Sequence, residues 1–151
     1  MAGKIDESMN SKSRENATPE SRFTRGQAKL AEVDGDGGQV VVDSLKDIAP
    51  DFGRLLIEYA FGDVYSRPGL DLRTRELLTV AALTALGTAE AQLKVHLRAA
   101  LQVGCTRAEI VEALIQMSVY AGFPATLNGL AAAKEVFAAE AAQPSPPSGV
   151  N

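Results

Sequence analysis

The stretch RPGLDLRTRELLTVAALTALG, residues 67–87, decides the fold. Arg67-Pro68-Gly69-Leu70-Asp71 reads as a turn, and Asp71 has the short acidic side chain that caps a helix. The next fifteen residues contain neither Gly nor Pro, and Gly87 then supplies a stop. The spacing predicts a helix to about Leu86 with Leu77, Leu78, Ala81, Ala82 and Ala85 on its buried face.

Punctuation of the same kind continues downstream. Thr88 is positioned to cap a helix carrying Leu93, Leu97, Ala100 and Leu101, which Gly104 closes. Thr106-Arg107-Ala108-Glu109 is a capping box, in which Thr106 and Glu109 satisfy each other's backbone amides. The helix behind it is predicted to bury Ile110, Val111, Leu114, Ile115 and Val119. Gly122-Phe123-Pro124 breaks the chain, and a last helix over 125–141 shows Leu127, Leu130 and Phe137. Tyr120 and Phe123 are expected in the core or in a subunit interface.

Upstream, a helix is expected over 24–33, stopped by the glycine-rich 34–38. That acidic loop lacks the third acidic ligand and closing glutamate of a calcium loop, so it reads as a plain turn. Val40-Val41-Val42 has no second strand signal to pair with, so it reads as the edge of a short helix running towards Ile48. Phe52, Leu55, Leu56, Tyr59 and Ala60 recur at helical spacing. The fold class is therefore all-α. Residues 1–21 and the proline-rich 143–151 read as disordered tails around one domain over 22–142.

Composition narrows the function. Net charge is -4 and the arginines are interleaved with acids, so no basic stripe is offered to nucleic acid. No apolar run approaches the ~18 residues of a membrane span, and the start of the chain has no apolar signal core, so the expected location is the cytoplasm. The one cysteine, Cys105, can form neither an internal disulfide nor a dithiol. One histidine and one distant cysteine are too few for a zinc or iron site, and no phosphate loop is present, so no metal or cofactor is expected.

RPGL, RTRELL, LKVHLRAAL and VYAGFP follow one another in this order between 67 and 124, and the pattern resembles the carboxymuconolactone decarboxylase family. The resemblance implies an AhpD-like domain of six to seven helices, assembled as a homo-trimer or homo-hexamer. It also implies one of two chemistries. One branch removes carbon dioxide, without a cofactor, from 4-carboxymuconolactone, a small-molecule intermediate of aromatic (protocatechuate) breakdown. The other resembles the alkylhydroperoxidase AhpD and uses a CxxC dithiol just ahead of the motif histidine. Here that place holds Ala89-Glu90-Ala91-Gln92, without sulfur. The alternatives are a hydroperoxidase of the second type that uses Cys105, alone or with a partner thiol, and a non-catalytic oligomer that binds a small acid.

His96 is the only histidine, and it sits beside an apolar stripe where a lone histidine is usually a packed core residue. The resemblance instead implies an active-site cleft, where an imidazole can donate or accept a proton near neutral pH. Glu76 would orient it or relay its proton, against the plain reading of a solvated first-turn acid. Arg73 and Arg75 could bind substrate carboxylates, since guanidinium matches carboxylate geometry, or could serve as surface residues. Arg98 is a weaker candidate. Cys105, just ahead of a helix N-terminus, could be reactive or a small buried hydrophobe. Tyr120 could offer its hydroxyl to a ligand.

Overall fold

The computed structural model describes residues 19–142, so the two expected tails lie largely outside the described residues. Within that span every regular element is a helix. In chain order they are α1 (Pro19–Asp34), α2 (Asp36–Asp43), α3 (Pro50–Leu55), a π-helical segment (Leu56–Tyr65), α4 (Leu72–Leu86), α5 (Glu90–Gln102), α6 (Arg107–Tyr120) and α7 (Gly122–Ala142). They gather into two compact units. One combines α1 up to Ala31 with Gly38–Arg67, and the other combines Glu32–Gly37 with the chain from Pro68 onward.

In the first unit, α1 and the π-helical segment meet through glycine. A Cβ on Gly26 would lie 2.2 Å from the Ile57 carbonyl oxygen, and one on Gly62 would lie 2.7 Å from that of Arg22. Only bare backbone permits this approach, which buries Leu30, Ile57 and Phe61. The rim is polar: Arg22 Nε donates to Asp63 Oδ1 at 3.1 Å, and Arg25 Nε donates to the Gly62 carbonyl at 2.8 Å. The π-helical segment buries Ile57, Glu58, Phe61 and Gly62. The expected row is not buried: Phe52, Leu55 and Tyr59 are exposed, and the inward face is the one that carries Ile57 and Phe61.

The second unit packs α4, α5, α6 and α7 around Val80, Leu93, Leu97, Ala100, Ile110, Leu114, Ala133 and Val136. Its helix ends follow the sequence signals. The Asp71 carboxylate accepts from the Thr74 amide at 2.7 Å, Gly87 takes the left-handed conformation with φ +69°, and both halves of the Thr106–Glu109 capping box are formed.

Several expectations need correction. On α4 the buried residues are Glu76, Val80 and Thr84, while Leu78, Ala82 and Ala85 are exposed. On α6, Ile110 and Leu114 are buried, but Ile115 and Val119 are exposed. Tyr120 and Phe123 are exposed too, so neither lines the core of the chain. Residues 34–38 are not a five-residue turn, because only Gly35 separates α1 from α2 and the short helix stops at Asp43, before Ile48. Ala89, not Thr88, is the cap position of α5. The last helix starts at Gly122, since a proline inside the first turn removes only an amide that has no helical partner.

Candidate active site

Glu76 sits one turn into α4, on the side that also presents Val80 and Thr84. Neighbouring helices close over that side, and Glu76 is 0% exposed. A buried carboxylate requires a partner. That partner is His96 of α5, whose Nδ1 lies 2.9 Å from Glu76 Oε2. A carboxylate can only accept, so Nδ1 carries the hydrogen and Nε2 is left for exchange. The His96 side chain is 22% exposed, so it is not sealed from solvent as Glu76 is. The reading of Glu76 as a solvated first-turn acid is therefore replaced.

A second acid belongs to this group. Asp34 is the last residue of α1, and its charge is felt by both His96 and Glu76. Burial is the main cause that lifts its pKa from the ordinary 3.8 to about 6; Glu76 adds to the rise and His96 opposes it. For His96, burial pulls the pKa down. The Glu76 hydrogen bond and the charges of Glu76 and Asp34 outweigh it, leaving the imidazole more basic than usual. Sequence reasoning missed Asp34, because an acid before glycines reads as turn chemistry. Its proximity to a histidine 62 positions later has no local signature.

The other expected residues separate. Arg73 Nη2 donates to both oxygens of Glu109, at 2.6 and 2.7 Å. The Thr106 amide, together with Arg73, holds Glu109 down to about 2. Arg73 thus ties the start of α4 to the start of α6. Arg75 lies partly buried on α4, next to Glu76 in sequence. Arg98 is exposed on α5. Cys105 is buried, its Sγ donates to the Arg73 carbonyl at 3.6 Å, and burial pushes the thiol pKa up. That is the setting of a core residue, not of a thiolate nucleophile. Tyr120, at the end of α6, is 77% exposed. Among the described residues, no group of three or more His, Cys, Asp or Glu side chains is arranged to hold a metal ion.

The model of the carboxymuconolactone decarboxylase family matches residues 50–135, which include both Glu76 and His96. The chain belongs to that family. It is 40% identical over 119 residues to the 4-carboxymuconolactone decarboxylase of Acinetobacter baylyi, covering 78% of this chain and 88% of that protein. An uncharacterized 15.0 kDa protein of Paracoccus denitrificans is 40% identical over 98 residues, 64% of this chain and 73% of its own length. The nitrosuccinic acid decarboxylase of Metarhizium robertsii is 36% identical over 98 residues, 62% of this chain and 67% of its own. Two of these three relatives are named as decarboxylases. Among the described residues, no helix is long and apolar enough to cross a membrane.

Proposed function

We propose that this protein is a cofactor-free carboxy-lyase, acting on 4-carboxymuconolactone or a related small carboxylated lactone in the cytoplasm. The observation that carries this reading is the 2.9 Å contact between His96 Nδ1 and the fully buried Glu76 carboxylate. It fixes the ring and leaves Nε2 as the nitrogen that donates a proton. Breaking the bond to the leaving carboxylate releases carbon dioxide, and its electron pair moves into the conjugated carbonyl. A proton from His96 Nε2 then forms the new carbon–hydrogen bond, and solvent recharges the imidazole. Arg75 holds a substrate carboxylate. Arg73 can take the same role by giving up Glu109.

Similarity to the two named decarboxylases supports this reading. Buried Cys105 and sulfur-free residues 89–92 set it above the hydroperoxidase alternative. The proposal includes a homo-oligomer, a trimer or hexamer. Ile115, Val119 and Tyr120 on α6 and Phe123 and Leu127 on α7 are large, apolar and exposed, as a surface covered by another subunit would be. The deciding experiment is carbon dioxide release from 4-carboxymuconolactone by purified protein, with His96→Ala as control. Turnover in the native protein that disappears in the variant supports the reading; native protein without turnover removes this substrate, and a fully active variant removes the role of His96.

A further inference from the structure

Asp34 is placed where an acid is poorly tolerated. It is the last residue of α1, where the negative end of the helix dipole disfavours a carboxylate. Its Oδ1 is closed off from solvent, with no hydrogen-bond partner among the described residues. A second acid, Glu76, repels it. Gly35, with φ +55°, turns the chain immediately afterwards, and a Cβ there would meet only Gln102 Cδ, at 4.0 Å. The turn therefore lies beside the C-terminal end of α5, the helix that carries His96 further up. An acid kept at a dipole's wrong end, with one oxygen buried and without a hydrogen bond and a second acid nearby, is explained by what it does to the imidazole, not by any stability it adds.

We propose that Asp34 is a positioning residue of the His96–Glu76 pair, a second carboxylate that keeps the imidazole protonated and ready to donate. It acts through His96 and does not touch the substrate. The charged groups bearing on Asp34 are His96 from α5 and Glu76 from α4, and those bearing on His96 are the two acids. Above about 6, where Asp34 is ionised, two negative neighbours hold the proton on the ring. After the ring has given that proton to substrate carbon, the same two charges favour its replacement from solvent. The catalytic consequence rests on the lyase reading; the effect on the ring does not.

His96 is the only histidine of the chain, so its imidazole resonances stand alone in a proton–carbon NMR spectrum and its titration is read without assignment ambiguity. In Asp34→Asn the His96 midpoint moves to lower pH. The alkaline limb of kcat follows it, KM stays the same, and Asp34→Glu restores part of the shift. A merely structural Asp34 would lower the melting temperature and leave the midpoint of the folded protein alone. An unchanged His96 midpoint in folded Asp34→Asn overturns the proposal. If that variant does not fold, carboxyl-carbon detection in the native protein decides. Asp34 and His96 then show shared, biphasic titration curves; independent single-step curves overturn the proposal. A shifted midpoint in a protein that releases no carbon dioxide from 4-carboxymuconolactone supports the role of Asp34 and removes only that substrate.

Discussion

Glu76 and His96 are separated by twenty positions and joined by one hydrogen bond of 2.9 Å, and each explains the other's burial. Replacing His96 by Gln keeps a polar side chain but removes the proton donor, so kcat should fall by about 10²–10⁴-fold with little change in KM. Stopped-flow pH-indicator assays of proton uptake would show this. Glu76→Gln retains an acceptor but removes the charge that supports the imidazolium, so the alkaline limb of kcat should move to lower pH. Asp34 makes a separate prediction for stability. Its folded pKa is raised from 3.8 to about 6, so the folded state binds the proton more tightly than the unfolded chain. Stability from this group is full at low pH and lost as pH rises through that window. Melting curves of Asp34→Asn should therefore show a flatter dependence between those values, and no loss of stability at pH 7 and above. Cys105, buried with its thiol pKa raised, should react slowly with a disulfide reagent in the native protein and quickly in denaturant. Rapid native labelling would return Cys105 to the candidates for chemistry.

The helices begin and end where short-range chemistry places them, and their faces turn where packing places them. Asp71, Gly87 and the Thr106–Glu109 box act within a few residues of chain, so they were legible from composition and spacing alone. Thr106→Ala should cost about 1 kcal/mol of stability through the lost cap, measured by urea unfolding, and a cost near zero would show that the cap is redundant. The faces were harder to read. Leu78, Ile115 and Val119 were assigned to the core because they are apolar at helical spacing, yet all are exposed, and Glu76 and Thr84 take the buried positions on α4. In the π-helical segment the buried residues are Ile57, Glu58, Phe61 and Gly62, a set that includes a charged residue and a glycine, which an apolar stripe does not pick out. Gly26→Ala tests this element. The new methyl would meet the Ile57 carbonyl, which is backbone and cannot swing aside, and a loss of about 1–3 kcal/mol is expected in the same unfolding assay.

At the scale of the molecule, the large apolar residues left outside on α6 and α7 are among those that a single chain does not bury. If they form the subunit interface, light scattering coupled to size exclusion should show a trimer or hexamer, and Val119→Asp should shift it towards the monomer. A native protein that elutes as a monomer would leave those residues without that explanation. Composition, punctuation and motif order were sufficient for an all-α chain and its family, because these are properties of residue types and of neighbours a few positions apart. They also nominated His96 and Glu76. Only the tertiary structure could show that Glu76 is buried against His96, that Arg73 is engaged by Glu109, that Cys105 is shielded, and that Asp34 belongs with the histidine. Each of those facts depends on which helices come together across long stretches of chain. A carboxylate's charge state is set by what surrounds it in space, and residue spacing along the chain does not contain that distance.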